Sequence, residues 1–401
     1  MAVIGVVCEY NPFHRGHLLH LQRCREALGE ESTVLCVMSG DFVQRGEAAL
    51  YDKFARAEAA CRCGADLVVE LPLPWCLASA EGFARGAVSL LDALEATHLS
   101  FGSESDDLDG LWATARVLAL PETTERIKAL LRQEGSFSFA AARERAVREL
   151  LGQREELLRQ PNSILAVEYL KALDSLGLDL VPLPVLRQGA GHDQSGSGEG
   201  PCSASELRKR LRRGLPLEGE VPPAAATIYA RERAAGRELA DSAALEIALL
   251  SRLRALDPED FERLPDAGDG LGRRLYHAVQ EEADLESILQ FAKSKRYALS
   301  RLRRMALCAA LGVSAETAAG TPPYARVLAF NARGRLLLRK LEGHSSIPIL
   351  TKPAAARRLG GTTEEIFNLG ARAHDLYVLG LPEGLSQRPG ADWRTGPVIL
   401  D

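Results

Sequence analysis

Long apolar runs are missing from this sequence. Hydrophobic residues make up 46% of its 401 positions, but no stretch approaches the roughly 20 consecutive apolar residues that are needed to cross a bilayer. No basic segment precedes the first apolar run, so we expect no secretory signal. These absences exclude a membrane-spanning segment and a membrane partner. They leave enough apolar residues for a large buried core, and the length favours two domains over one.

An excess of positive charge is also missing. The sequence has 49 Lys and Arg against 54 Asp and Glu, which gives a formal net charge of −5. A protein with this charge does not attract nucleic acid over its whole surface, so any RNA contact has to come from a local basic patch. We expect no DNA partner.

Paired cysteine spacing is missing as well. Neither CxxC nor HExxH occurs, so no zinc site is expected, although Cys61-x-Cys63 could ligate a metal. The cysteines lie mostly inside apolar segments and are typical of reduced core thiols in a cytoplasmic protein. They are Cys8, Cys24, Cys36, Cys61, Cys63, Cys76, Cys202 and Cys308.

Short apolar runs alternate with helical patterns over the first half of the chain, which predicts an α/β domain with a parallel sheet. The predicted strands are residues 2–7, 33–38, 67–72, 98–104 and 180–186. The proline-containing segment 219–224 is the best domain boundary, so we divide the chain into residues 1–222 and 223–401. Beyond it the strands largely stop, which predicts a mainly α-helical second domain with a loose tail after Pro382.

The stretch from Gly5 to His17 is a strand-to-helix turn, which places backbone N–H groups and the positive end of a helix at one point. Pro12 stiffens the loop, and Gly16 leaves no side chain between the backbone and a bound phosphate. His14 and His17 face the same spot, where imidazoles donate to phosphate oxygens. The alternatives are a metal-binding pair or two surface histidines.

The HxGH string at residues 14–17 resembles the signature of the nucleotidyltransferase superfamily, whose members activate substrates by attack on the α-phosphate of ATP. The wider string at residues 11–14 is similar to the bacterial tRNA(Met) cytidine acetate ligases, and later blocks agree with that family in order. Those blocks are residues 38–47, 65–72, 101–104, 330–334 and 347–352. The chain departs from the family pattern at Arg15 and Asp41, where Asn is expected, and at Ser163, where a second Asn is expected.

The resemblance implies a Rossmann-like, parallel-sheet HxGH nucleotidyltransferase domain that binds ATP with Mg²⁺, with His14 and His17 as catalytic residues. The implied ATP contacts are Val7, Cys8, Glu9, Tyr10, Asn11, Pro12, Phe13, His14, Arg15, Gly16, His17, Leu18, Leu19, His20, Gly102, Asn162 and Arg187. Three of these have a purely structural alternative. Gly102 is read equally well as a plain turn residue, Asn162 as a helix N-cap and Arg187 as half of a surface salt bridge.

The segment that contains Ser203, Ser205 and Arg208 resembles a second signature of the superfamily, which is a Ser/Thr-rich helix start with a basic residue. Helix-start amides and small hydroxyls suit the β- and γ-phosphates of ATP. The polar, glycine-rich residues 194–200 before it predict a mobile loop that closes over those phosphates. As a bare pattern, the segment is only a capped helix.

A basic stretch at residues 290–304 contains no acidic residue, and a tyrosine lies among its cations. Basic side chains neutralise RNA phosphates, and an aromatic ring stacks on an unpaired base. The alternative is a solvated basic helix face. The predicted RNA-binding residues are Lys293, Lys295, Arg296, Tyr297, Arg301, Arg303 and Arg304.

The function implied by the resemblance has two steps. Acetate attacks the α-phosphorus of ATP to give acetyl-adenylate and pyrophosphate, and the acetyl group then moves to the wobble cytidine, position 34, of elongator tRNA(Met). The products are N4-acetylcytidine and AMP. Two alternatives stay open: an adenylyltransferase that acts on a phosphate-bearing metabolite, and a non-catalytic RNA-binding protein. The presence of His14, Gly16 and His17 argues against the non-catalytic alternative.

Overall fold

An eight-stranded sheet forms the centre of the molecule. The computed structural model describes residues 2–133, 137–187, 202–213, 215, 217, 219–239, 243–382 and 387–401, apart from the side chains of residues 153–155. The strands are β1 (Val3–Cys8), β2 (Thr33–Ser39), β3 (Phe42–Val43), β4 (Glu47–Ala48), β5 (Leu67–Leu71), β6 (His98–Ser103), β7 (Val181–Leu186), β8 (Ala325–Phe330), β9 (Ile349–Leu350) and β10 (Val398–Ile399). Strands β3 and β4 pair separately as a small antiparallel hairpin.

The strand order in the sheet is β10-β8-β5-β2-β1-β6-β7, with β9 beside β8. The chain first builds outward from β1 through β2 to β5, and then returns to place β6 and β7 on the other side of β1. All these pairs are parallel except β5 with β8. The predicted parallel α/β fold is therefore confirmed, and the end of β1 lies where the strand order reverses. In open α/β sheets this point is the usual ligand site.

Helices cover both faces of the sheet and also build a separate core in the later part of the chain. They are α1 (Arg15–Leu28), α2 (Lys53–Arg62), α3 (Leu73–Cys76), α4 (Ala80–Ala93), α5 (Leu108–Ala119), α6 (Pro121–Arg132), α7 (Phe139–Leu151), α8 (Pro161–Leu176), α9 (Ala204–Arg212), α10 (Pro223–Ala234), α11 (Ala243–Leu253), α12 (Pro258–Glu262), α13 (Leu271–Glu281), α14 (Leu285–Ala292), α15 (Leu299–Leu311), α16 (Ala332–Leu341), α17 (Ala354–Leu359) and α18 (Gly361–Tyr377). Short 3₁₀ segments follow α7 and α18.

Alternate residues of β2 enter different cores, as the two-residue period of a strand requires. Leu35 and Val37 pack with α4, α5 and α8, whereas Val34 and Cys36 pack with α1, α2 and α10. Because both faces are covered, all seven residues of β2 are buried. A third core, built mainly from α11, α13, α14, α15 and α18, gives the later part of the chain its helical character.

The chain beyond residue 222 is not purely helical, because β8, β9 and β10 join the main sheet. The prediction of a loose tail after Pro382 is wrong for residues 387–401. Asp392 is fully buried, the Trp393 ring packs 4.4 Å from the Phe367 ring, and β10 pairs with β8. The division of ATP and RNA binding at residue 222 stays a prediction.

Other sequence predictions fall partly outside the structure. Residues 189–193 and the predicted loop at 194–200 lie outside the described residues. None of the described helices is long and apolar enough to cross a membrane. The cysteines are free thiols, and burial raises the pKa of Cys76 and Cys308 to about 12, which keeps both protonated and unreactive at neutral pH.

Candidate nucleotide site

The loop between β1 and α1 is held in place by hydrogen bonds that its main-chain N–H groups donate to residues far along the chain. The Phe13 N–H donates to the Tyr229 hydroxyl at 2.8 Å, and the Arg15 N–H donates to the Glu220 carbonyl at 3.2 Å. The Asn11–Pro12 peptide bond is cis. Because Tyr229 belongs to α10 and Glu220 to the segment before it, residues far along the chain set the position of this loop.

His14 and His17 form a stacked pair at the start of α1, with ring centroids 3.7 Å apart and planes inclined by 29°. His14 Nδ1 accepts from the Gly16 N–H at 3.0 Å, and His17 Nδ1 accepts from the His14 N–H at 3.3 Å. A neutral imidazole that accepts at Nδ1 carries its proton at Nε2. Two backbone amides thus select the tautomer in which Nε2 donates, as phosphate binding requires.

Aromatic rings pack against this pair, and the half-buried Glu9 precedes it in the same loop. The Tyr10 and Phe13 rings lie 4.8 Å and 5.5 Å from the His17 ring, which fixes its plane. Glu9 Oε1 accepts from the Gln44 N–H at 3.0 Å, and burial raises the pKa of this carboxyl. Arg56 donates to the Glu9 carbonyl at 2.5 Å, which ties α2 to the loop. These contacts tie the loop between β1 and α1, which we call the signature loop, to α2 and to the turn between β3 and β4.

Gly102, Asn162 and Arg187 come together at the carboxyl ends of β6 and β7, as the resemblance implies. Arg187 Nη1 donates to Asn162 Oδ1 at 3.4 Å, and a Cβ on Gly102 would lie 3.4 Å from the Arg187 side chain. His20 accepts from or donates to the Ser100 hydroxyl at 2.9 Å. Burial, helped by the nearby Arg187 charge, lowers the pKa of His20 to about 4. His20 is therefore neutral at physiological pH, whereas Arg187 next to it carries a positive charge.

Glu104 is the organising residue of this group, and the sequence analysis did not select it. Its carboxylate accepts from the Asn162 Nδ2 at 2.5 Å and from the Ser163 N–H and hydroxyl, each at 2.8 Å. Burial alone would raise the pKa of Glu104, but these hydrogen bonds lower it overall. Asn162 is not the N-cap, because α8 begins at Pro161 and Gln160 precedes it. The available signal was that Glu104 ends the family-like block at residues 101–104.

The second signature lies against the first. Ser203 caps α9 by accepting from the Glu206 N–H at 3.2 Å. Arg208 donates through Nη1 to the Asn11 carbonyl at 2.8 Å and through Nη2 to the Ser205 hydroxyl at 3.3 Å. The residues of the two predicted signatures are thus joined directly by one guanidinium group.

The predicted RNA-binding residues divide into exposed and enclosed members. Lys293 and Lys295 are exposed in the loop between α14 and α15. The Arg301 guanidinium lies 5.0 Å from the centre of the half-buried Tyr297 ring. Arg304 is only 8% exposed and faces Asp266. The exposed Arg296 donates to the Leu131 carbonyl at 2.7 Å, and Arg303 pairs with Glu47 at 3.2 Å.

Six buried charged side chains form a group around the start of α2, which we call the buried ion cluster. Its members are Asp41, Lys53, Glu70, Arg326, His374 and Asp392. Lys53 Nζ lies 2.7 Å from Glu70 and 2.6 Å from Asp392, and Arg326 lies 2.8 Å from Asp392. Asp41, one of the departures from the family pattern, pairs with His374, whose Nδ1 lies 2.9 Å from the Asp41 carboxylate.

Similarity to known proteins agrees with this geometry. A family model described as HIGH Nucleotidyl Transferase matches residues 1–391. A tRNA(Met) cytidine acetate ligase from Syntrophomonas wolfei subsp. wolfei is 37% identical over 415 residues, covering 99% of each chain. One from Syntrophotalea carbinolica is 40% identical over 361 residues, covering 88% of this chain and 85% of the relative.

Solved structures show the same similarity. The apo crystal structure of Thermotoga maritima TmcAL superposes with a TM-score of 0.92 at 32% identity, covering both chains completely. The same protein bound with alpha-thio ATP superposes with a TM-score of 0.89 at 31% identity, again over both complete chains.

Proposed function

The chain belongs to the tRNA(Met) cytidine acetate ligases within the HIGH nucleotidyl transferase family, and from this premise we propose that it forms acetyl-adenylate from acetate and ATP and transfers the acetyl group to the wobble cytidine of elongator tRNA(Met). The observation that carries the proposal is the His14–His17 pair, whose Nδ1 atoms are occupied by backbone N–H groups at the start of α1. A structural neighbour of this chain binds an ATP analogue.

In the first step, ATP lies across the carboxyl ends of β1 and β6. The Nε2–H groups of His14 and His17 donate to phosphate oxygens and stabilise the charge that grows as acetate attacks the α-phosphorus. Arg187 supplies a positive charge next to Gly102, where the absence of a Cβ leaves room for the nucleotide. Acetate is already ionised at neutral pH and needs no base, so positioning and electrostatics supply most of the acceleration.

Magnesium is expected to arrive with the ATP phosphates. Among the residues that the structure describes, no three His, Cys, Asp or Glu side chains cluster so as to hold a metal ion. The described residues therefore offer no three-ligand metal site of their own, and we assign the binding and orientation of ATP to the histidine pair, the helix start and the arginines.

In the second step, tRNA docks on the exposed part of the basic stretch. Lys293, Lys295 and Tyr297 offer two cations and a ring on one loop, which suits a phosphate backbone and an unpaired base. Buried Arg304 is a poorer candidate than the sequence suggests, because Asp266 already faces its guanidinium. An RNA-modifying role and free thiols support a cytoplasmic location.

The experiment that tests the first step is exchange of labelled pyrophosphate into ATP. The proposal predicts exchange that depends on acetate and needs no tRNA. Exchange that requires a phosphate-bearing metabolite in place of acetate would favour a simple adenylyltransferase, and absence of exchange with any acceptor would contradict enzymatic activation of acetate.

A further inference from the structure

A cavity of about 520 Å³ lies between the β3–β4 hairpin, α9 and the helices α11, α14 and α15. Its walls combine apolar side chains, which include Phe42, Leu249 and Leu289, with several charged ones. Two of the charged lining residues, Glu47 and Arg303, pair with each other at 3.2 Å. The other charged lining residues are Arg208, Arg212, Glu246, Asp284 and Glu286. Pockets of this size that combine apolar walls with convergent polar groups typically take a small organic ligand or one unit of a larger one.

The cavity connects the signature loop to the basic stretch through one carboxylate. Glu47 Oε2 lies 3.6 Å from Arg208 Nη2, and Nη1 of the same guanidinium donates to the Asn11 carbonyl at 2.8 Å. On its other side, Glu47 Oε1 accepts from Arg303 Nη1 at 3.2 Å. Glu47 is therefore one side chain away from the loop that holds ATP and one side chain away from α15, where the RNA is expected.

A cytosine base matches the groups that line this cavity. The base has an exocyclic amine that donates, ring N3 and O2 atoms that accept, and two flat faces. Glu47 offers an acceptor to the amine, Arg303 offers donors to N3 and O2, and the apolar walls suit the faces. Enzymes that act on a base unstack it and read its Watson–Crick edge in such a pocket.

We propose that this cavity takes the cytosine base of the RNA substrate and that Glu47 accepts a hydrogen bond from the exocyclic amine. The proposal rests on the ligase function proposed above. In the transfer step, the amine nitrogen bonds to the acetyl carbonyl carbon while the bond from that carbon to the adenylate phosphate oxygen breaks. AMP leaves with the electron pair, and the proton released by the nitrogen goes to the Glu47 carboxylate.

The experiment compares two half-reactions of the full-length protein. Acetate-dependent pyrophosphate exchange reports acetyl-adenylate formation, and transfer of labelled acetate to tRNA(Met) reports both steps. We expect Glu47→Gln to keep exchange within about twofold and to lower the kcat of transfer about 100-fold, with KM for tRNA little changed. The control is Glu125→Gln, which removes an exposed carboxylate on α6 that pairs with Lys128 at 2.8 Å and is not among the residues that line the cavity. We expect its transfer rate to stay within about threefold.

A second variant tests the cavity without changing any charge. Ala48 lines the same space, so Ala48→Leu narrows it and should slow transfer at least about tenfold while leaving exchange intact. Parallel loss of exchange and transfer in Glu47→Gln would assign Glu47 to the ATP site through Arg208 and overturn the proposal. Normal transfer in both variants would overturn it as well. Failure of the ligase function itself is distinguishable, because the wild-type protein would then show no acetate-dependent exchange.

Discussion

The buried ion cluster should make the stability of this protein depend on the protonation of one histidine. Three carboxylates, Asp41, Glu70 and Asp392, meet only two permanent cations, Lys53 and Arg326, in the cluster. Protonated His374 gives these six side chains equal positive and negative charge, and an isolated buried charge is strongly unfavourable. Arg56, which is also fully buried, attracts Asp41 from outside the cluster.

The magnitude follows from the pKa of His374. Burial alone would lower this pKa, but the Asp41 carboxylate at 2.9 Å outweighs burial and raises it from 6.5 to about 9. At 1.36 kcal/mol per pKa unit, this rise corresponds to about 3 kcal/mol. Because the folded-state pKa is raised, the contribution is fully present below pH 6.5 and is lost as the pH rises through 9.

Urea unfolding at pH 6, 7.5 and 9.5 measures this contribution. We expect the free energy of unfolding of the wild type, relative to His374→Gln, to fall by about 3 kcal/mol across this range. Asp41→Asn should remove the same dependence, because it removes the partner that raises the pKa. His344→Gln changes an exposed histidine outside the cluster and serves as the control. Identical pH dependence in the wild type and in His374→Gln would refute the reasoning.

Two further predictions test whether activation of acetate and binding of tRNA depend on different residues. His17→Ala should reduce acetate-dependent pyrophosphate exchange at least about 100-fold, because it removes a donor to the phosphate and the acceptor of the His14 N–H. The Kd for tRNA should stay unchanged, and an equal loss of exchange and of tRNA binding would contradict separate sites. Replacing Lys293 and Lys295 together by Ala should weaken tRNA binding and reduce the slope of log K against log salt by about 1.5, and an unchanged slope would show that these lysines do not contact RNA phosphates.

Most of the strands that could be predicted from the sequence were predicted from local hydrophobic patterns. Strands β1, β2, β5 and β6 are apolar runs whose ends were located within about two residues, because a fully buried strand leaves a continuous signal. Strand β8 was missed because Arg326 interrupts its apolar run. The structure buries that arginine by pairing it with Asp392, 66 positions later, and this contact has no local signal.

In the candidate site, too, residues in a local motif could be predicted and residues with distant partners could not. The HxGH string is short and local, so His14 and His17 could be found from sequence and were brought together as predicted. Glu104 and Glu47 act through partners about 60 to more than 250 positions away, and a lone glutamate is usually a solvated surface residue. Only the folded chain shows that Glu104 holds Asn162 and that Glu47 lies between Arg208 and Arg303.

The most direct test of the central claim is transfer of label from radioactive acetate into purified elongator tRNA(Met). The protein should incorporate label only when ATP is present, and only into tRNA that carries the wobble cytidine at position 34. Incorporation without ATP, incorporation into tRNA that lacks this cytidine, or no incorporation by protein that binds ATP would contradict the account.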